Sequence, residues 1–321
     1  MEMNNSRLPY IDKLKALAML LVVWGHTMYF CMYHEQEGIN DPVLSIICTF
    51  HVPLFFFLSG FIISHSPDIR KFLHKARKFL MPMLIVGFVN ALLFGGVRDF
   101  FLNGGHFGYW YLLTLTIFYL MLVPFQTTEG RKDFKSFVID GAIAVGLWAI
   151  LVYSMKPVHV IITALNPWAI FAYWPFFILG YLCRKYSLIR FITGKRWLSF
   201  VLTLVYIALL VASFSHIRSL PIILDFFIAL VAIAALVAIF HSFSNSSTFL
   251  DRQLLLIGNS TLDIYIYQYF LIRLIDLECL KSQSLIVEIA ITATLTVAIA
   301  YASMAMGKII RWLLKRAFLQ K

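Results

Sequence analysis

The residues best suited to chemistry lie in the first apolar segment, which reads YIDKLKALAMLLVVWGHTMYFCMY from Tyr10 to Tyr33. His26 lies well inside this segment, although an ionisable side chain within a membrane span costs roughly 2.5 to 3.5 kcal/mol and tends to mark function. Lys15 precedes it by 11 residues. That spacing is about three helical turns, so both side chains are predicted on one helix face, roughly 16 Å apart. Asp12 shares this face. The face therefore has two charged residues, Asp12 and Lys15, at its cytoplasmic end, here called the mouth, and an imidazole deeper in the membrane.

A second histidine is expected at a similar depth. The second apolar segment, VLSIICTFHVPLFFFLSGFIIS, carries His51, about eight residues or ~12 Å below its outer end. If the two segments are antiparallel neighbours, His51 and His26 can share a pocket. The alternative is that a backbone carbonyl or a hydroxyl within the bundle satisfies each imidazole separately.

Composition indicates the class of protein that holds these residues. The chain of 321 residues is 61% hydrophobic and 13% charged, whereas an ordinary soluble domain is about 25% charged. Its length allows about ten spans of ~20 residues with short loops. We therefore predict an all-α integral membrane protein, with residues 1–321 as a single transmembrane domain and no appended soluble domain. The ten predicted spans are 14–33, 43–64, 81–97, 109–125, 138–154, 168–183, 198–214, 221–241, 254–275 and 284–306.

The distribution of positive charge predicts the orientation. With the N-terminus in the cytoplasm, the cytoplasmic side holds all but five of the 27 Lys and Arg residues, which is a strong positive-inside pattern. Both termini are then cytoplasmic, and the expected location is the inner (plasma) membrane, crossed several times. The net charge of +11 follows from topology and from attraction to anionic membrane lipids, so we exclude nucleic acid as a partner. The five exceptions are Arg98, Lys156, Arg218, Arg273 and Lys281.

The basic stretch after the second span, SPDIRKFLHKARKFLMP, is predicted as a loop and allows two interpretations. Lys75, Arg77 and Lys78 either orient the protein and contact lipid, or they hold the phosphates of an anionic cytoplasmic cofactor. Cys, His, Asp and Glu show no spacing typical of a metal site, and no Gly-rich phosphate loop or GxSxG motif is present. We expect no metal and no permanently bound cofactor.

Three further residues are weaker candidates. Asp263 within the ninth span either has a direct role or pairs with a neighbouring helix. Trp110 belongs either to the aromatic belt at the membrane interface or to a surface that stacks on a sugar. His106, in an outer loop, is expected to be solvated.

The order of motifs resembles membrane acyltransferase family 3. Asp12-x-x-Lys15 is followed after ten residues by His26, and then by FHVPLFFFLSGF from Phe50 to Phe61. The FHxPLFF form is most similar to the branch of fucose 4-O-acetylase-related proteins. Further similar stretches are the basic run ending in Pro82, GYWYL at 108–112, PFF…GY at 175–181 and GNSTLDIY at 258–265.

This resemblance implies an O-acyltransferase, most simply an O-acetyltransferase, that takes an acyl group from cytoplasmic acyl-CoA. The implied acceptor is a hydroxyl of a cell-envelope glycan or lipid-linked sugar, and other envelope-glycan enzymes are implied partners beside the membrane lipids. The residues assigned are His26, Lys15 and His51 for catalysis, Lys15, Lys75, Arg77 and Lys78 for acyl-CoA, and Asp12, Trp110 and Asp263 for substrate.

Two departures from the family pattern limit the assignment. Lys15 stands where many members have Arg, and an ammonium holds a phosphate or carboxylate less rigidly than a guanidinium. Gln268 stands where many relatives carry His, so a role for that His cannot be transferred.

The main alternative function is a transporter or flippase with a His/Asp/Lys proton relay, and a third is an accessory subunit of envelope synthesis.

Overall fold

A computed structural model describes residues 8–34, 41–154, 163–193, 195–215, 222–243 and 248–319, and these ranges contain helices but no strand. Lys156 and Arg218, which enter the charge argument, and the start of the eighth predicted span at 221 lie outside the described residues. The α-helices bounded within these ranges are α1 (Pro9–His26), α2 (Pro42–Phe61), α3 (Ile69–Pro82), α4 (Phe88–Leu93), α5 (Val97–Leu102), α6 (Trp110–Met121), α7 (Phe134–Ser154), α8 (Pro167–Lys185), α9 (Arg196–Ser215), α10 (Ile222–Ser242), α11 (Phe249–Asn259), α12 (Thr261–Ile272) and α13 (Leu285–Leu319).

Several of these helices are long and apolar enough to cross a membrane. The described residues provide six such helical runs, together with two shorter apolar helices at Trp110–Met121 and Trp197–Ser213. The prediction of an all-α, multi-pass membrane protein is confirmed. The count of ten spans and the side on which the termini lie stay predictions. The six runs are Pro9–Met32, Pro42–Phe61, Ile69–Leu93, Phe134–Tyr153, Leu224–Ser242 and Leu285–Arg316.

Two predicted segments differ from the structure. The basic stretch after the second span is not a loop, because Asp68 caps α3 by accepting a hydrogen bond from the Lys71 amide at 2.7 Å. From Ile69 the helical run then continues through a π-helix, Met83–Gly87, into α4. The ninth segment is not one helix, because Ser260 leaves helical geometry and separates α11 from α12.

The chain forms two compact units, divided within α2 after Phe55 and again before Arg190. In the first unit, α1 packs against α10, α11, α12 and α13. Its tightest contact is at Gly258 of α11, where a Cβ atom would lie only 2.0 Å from the Asp12 carbonyl oxygen. Only glycine allows this approach, which brings the N-terminal part of α1 against α11 at backbone distance.

The second unit, residues 56–189, is built around α8. Gly60 and Gly180 pack reciprocally. A Cβ on Gly60 would meet the Phe177 carbonyl oxygen at 1.9 Å, and one on Gly180 would meet the Phe57 carbonyl oxygen at 2.0 Å. Small residues at such crossings allow close van der Waals packing of membrane helices. The SGF motif of the second span is therefore a packing site for α8.

A buried ion pair stabilises α7 in the second unit. Asp140 is fully buried and accepts hydrogen bonds from Lys185 Nζ at 2.7 Å and from the Tyr186 hydroxyl at 2.8 Å. Thr128 Oγ1 donates to the other carboxylate oxygen of Asp140 and accepts from Lys185 Nζ at 2.8 Å. Each charge in the cluster has a partner, which explains how an apolar helix tolerates a carboxylate.

The expectation that His106 is solvated is wrong. His106 is buried, with Nδ1 2.8 Å from the Phe100 carbonyl oxygen and Nε2 2.6 Å from the Ala164 carbonyl oxygen. Asn166 adds a hydrogen bond from its side-chain amide to the Gly104 carbonyl at 3.1 Å. These contacts fasten the segment before α8 to the segment between α5 and α6.

Candidate functional site

His26 lies at a change in helix type. It is the last residue of α1, and the next six residues, Thr27–Met32, form a π-helix. Single turns of this kind are rare and occur frequently at functional sites. The partly buried imidazole packs against the rings of Tyr269 and Phe30, whose centroids are 5.2 and 5.7 Å from its own. Its Nδ1 is 3.4 Å from Oε1 of Gln268 on α12.

His51 approaches the same part of α1 from α2. It is buried, and its Nδ1 is 2.7 Å from the Ile47 carbonyl oxygen. A carbonyl only accepts, so in the neutral ring Nδ1 carries the proton and Nε2 has the free lone pair. A Cβ built on Gly25, the residue before His26, would be 4.0 Å from this Nε2. His51 therefore faces the part of α1 that carries His26, while a backbone carbonyl satisfies its Nδ1.

The charged residues predicted at the mouth, on the same face of α1 as His26, form an ion pair. Lys15 Nζ is 2.6 Å from Asp12 Oδ1, and the two side chains retain 21% and 13% of their exposure. Their position three residues apart on α1 allows this contact. Because Lys15 is held but not fully buried, its ammonium can exchange Asp12 for another anion. About three turns of α1 separate it from His26, roughly 16 Å along the helix axis.

Lys13 has a different environment from Lys15, two residues away. Its Nζ is 2.5 Å from Asp251 Oδ1, and its side chain is 3% exposed. Asp251 also completes the capping box of α11 with Thr248. Lys13 therefore fastens α1 to the start of α11. Sequence reasoning did not separate these two lysines, although they point to opposite sides of one helix.

The remaining basic candidates belong to the second unit. Arg77 and Lys78 of α3 are exposed, and Lys75 is partly buried. The described residues provide no acidic side chain in a salt bridge with any of the three. Their cationic groups are thus available to an anion, which fits both interpretations of the sequence.

The other two predicted substrate residues have partners within the protein. The Trp110 ring stacks on Tyr173, with centroids 5.8 Å apart, and Tyr173 stacks on Phe56 at 5.1 Å. Asp263 Oδ1 is 2.5 Å from Arg311 Nη1 at the cytoplasmic half of α13 by our predicted topology. Roles for Trp110 and Asp263 in substrate binding stay predictions.

Comparison with known families decides the class of chemistry. The acyltransferase-3 family model, described as an acyltransferase domain, matches residues 8–305. This chain belongs to membrane acyltransferase family 3. No curated protein and no solved structure matches it. Among the described residues of this acyltransferase, no group of three or more His, Cys, Asp and Glu side chains could hold a metal ion.

The structure brings four of the predicted site residues of this acyltransferase together in its first unit: Asp12 and Lys15 at the mouth, and His26 and His51 in the interior. The structure also adds Gln268. This residue is 242 positions after His26 in the sequence and contacts its imidazole. The sequence signal for Gln268 was its position in the family pattern, where a His is common. The departure from the pattern thus falls on a direct contact of His26.

Proposed function

We propose that this acyltransferase moves an acyl group, most simply acetyl, from cytoplasmic acyl-CoA to a hydroxyl of an envelope glycan or lipid-linked sugar. The observation that carries the proposal is the pair of imidazoles, His26 at the end of α1 and His51 facing α1 from α2, on the helix that also carries the Asp12–Lys15 ion pair. The resemblance to the fucose 4-O-acetylase-related branch supports a sugar acceptor. Both termini are cytoplasmic in this proposal, which puts Lys15 on the side where acyl-CoA occurs.

The ~16 Å between Lys15 and His26 suits an extended thioester arm. Lys15 binds a negative group of acyl-CoA near the membrane surface, and the pantetheine arm extends toward His26. Lys75, Arg77 and Lys78 supply further positive charge for the phosphates. Asp12 holds the Lys15 ammonium in position before the donor arrives.

His26 acts as the general base on the acceptor hydroxyl. Its Nε2 removes the hydroxyl proton while the oxygen attacks the thioester carbonyl carbon, forming the new C–O bond and a tetrahedral oxyanion. The oxyanion then collapses, the C–S bond breaks, and the proton on Nε2 passes to the departing thiolate to give free CoA. His51 Nε2 accepts a hydrogen bond from a neighbouring hydroxyl of the acceptor, which orients the hydroxyl that reacts.

The test uses the purified protein in lipid nanodiscs, with acetyl-CoA and the envelope glycan and lipid-linked sugar fractions of cells that lack the protein. Transfer is followed by mass spectrometry as the addition of one acetyl group. His26→Gln should slow transfer by about 10²- to 10⁴-fold and leave acetyl-CoA binding nearly intact. His51→Gln should have a smaller effect, and His65→Gln, at an exposed histidine, is the matched control.

The outcomes separate the alternatives. Full activity of folded His26→Gln would contradict the mechanism, and loss in His51→Gln alone would assign the base to the other imidazole. Absence of acetyl transfer by the wild type to either fraction would contradict the proposed donor and acceptor. The transporter reading requires movement of the sugar without a change in its mass.

A further inference from the structure

The contact between Gln268 and His26 has a defined chemical direction. Gln268 is fully buried on α12, and its Nε2 donates to the Tyr265 carbonyl at 3.3 Å. Turning the amide over would bring its oxygen against that carbonyl, so two acceptors would face each other. The orientation with Oε1 toward His26 is therefore the one that satisfies the amide.

This orientation determines the tautomer of His26. An amide oxygen only accepts, so the His26 Nδ1 that lies 3.4 Å away must donate and carry the proton. In the neutral ring the lone pair is then on Nε2. The hydrogen bond is long, as catalytic hydrogen bonds often are before substrate binds.

Neighbouring aromatic rings limit the tilt of the His26 imidazole. Tyr269 lies against it at an interplanar angle of 37°, and Phe30 meets it edge-on at 65°. These apolar contacts hold the plane of the ring, but they do not distinguish one nitrogen from the other. Among the titratable groups, His51 of α2 faces α1 at Gly25, next to His26, and Arg273, after α12, lies over the Phe30 ring.

We propose that Gln268 is the positioning residue of His26, which fixes the Nδ1–H tautomer and so presents Nε2 to the acceptor hydroxyl. This inference rests on the proposed role of His26 as the base. A neutral amide orients the ring without adding negative charge beside it. The base therefore keeps a larger unprotonated fraction near neutral pH than it would have beside a carboxylate.

Two variants of Gln268 test the role. Gln268→Leu keeps the approximate volume but removes the acceptor, so kcat for acetyl transfer should fall about 10- to 100-fold, by analogy with the loss of the residue that orients a metal-bound histidine. KM for acetyl-CoA should be unchanged. Gln268→Glu keeps an acceptor oxygen, so it should retain most of the activity at high pH, while the acid limb of the pH–rate profile moves to higher pH.

The matched control is Gln253→Leu on α11. Gln253 also accepts a hydrogen bond through its side chain, from the Tyr301 hydroxyl at 2.6 Å, but it does not belong to the site. This variant should transfer acetyl at the wild-type rate. Equal loss of kcat in both Gln→Leu variants, or an unmoved pH profile in Gln268→Glu, would overturn the positioning role.

A measurement without turnover separates this inference from the proposed function. Ring ¹⁵N-labelled histidine in the full-length protein reports the tautomer of His26 by NMR, and the spectrum of His26→Gln assigns its signals. We expect protonated Nδ1 and unprotonated Nε2 in the wild type, and a mixture of tautomers in Gln268→Leu. A proton on Nε2 in the wild type, or no change in Gln268→Leu, would overturn the inference. If the tautomer depends on Gln268 but the His26→Gln variant transfers acetyl at the wild-type rate, His26 is not the base. The hydrogen bond from His26 to Gln268 is then still supported.

Discussion

Removing the Asp140 carboxylate should destabilise the protein more than almost any other single change outside the site. Asp140→Ala leaves the Lys185 ammonium, whose side chain is 6% exposed, without its anionic partner. Breaking a buried ion pair from one side typically costs about 3 to 5 kcal/mol. The Tyr186 hydroxyl also loses its acceptor, which adds about 1 kcal/mol. We expect a loss of about 3 to 5 kcal/mol in the free energy of unfolding, since Lys185 at the end of α8 can partly turn toward water.

The assay is reversible chemical unfolding in one detergent. The double variant Asp140→Ala with Lys185→Met should recover much of the loss, because apolar residues often replace a buried ion pair without penalty. Glu278→Ala, which removes an exposed partner of Lys281, is the control and should cost less than about 1 kcal/mol. The reasoning is refuted if Asp140→Ala costs no more than Glu278→Ala, or if the double variant is less stable than Asp140→Ala.

Two further predictions concern the donor and the topology. Lys15→Ala should weaken acetyl-CoA binding about 10- to 100-fold, the range for losing a hydrogen bond to a charged group. Neutralising Arg77 and Lys78 together should also weaken acetyl-CoA binding, and added salt should lower the wild-type affinity. Lys15→Arg should retain binding. Affinities measured by calorimetric titration that are equal in all these proteins would contradict the donor site. A topology reporter near Gly105 should read extracytoplasmic and one after Gln320 cytoplasmic, and a cytoplasmic signal at Gly105 would contradict the ten-span arrangement.

Local spacing within one helix was enough to predict that Asp12 and Lys15 share a helix face. Asp12 and Lys15 are three residues apart, so the geometry of α1 alone brings them within 2.6 Å. The same spacing put His26 on their face because α1 remains regular up to that residue. Beyond His26 the 3.6-residue period no longer applies, since a π-helix follows. Nothing in the apolar run Thr27–Met32 distinguishes a π-turn from an α-turn.

Contacts between distant parts of the chain could not be predicted from the sequence. Asp140 lies within the fifth predicted span, and its partner Lys185 enters the sequence analysis only as one of the cytoplasmic charges. The break at Ser260 was also missed, because the apolar pattern continues across it. Gln268 was noted only for its difference from the family, whereas its amide contacts His26 across the bundle. Pairing of side chains on separate helices depends on tertiary packing, which one sequence does not reveal.

The separation of His26 and Gln268 along the chain also determines when the site can exist during synthesis. Ribosomes add roughly 5 to 20 residues per second, so the 242 positions between the two residues correspond to about 12 to 48 s of translation at that rate. For that interval α1 is already made, but α11 and α12, which contact it at Gly258 and Gln268, are not. The second unit, which ends at Ile189, is completed before this contact can form. The candidate base is thus among the first residues inserted and among the last to acquire its surroundings, so a chain truncated before α12 carries His26 without the group that orients it.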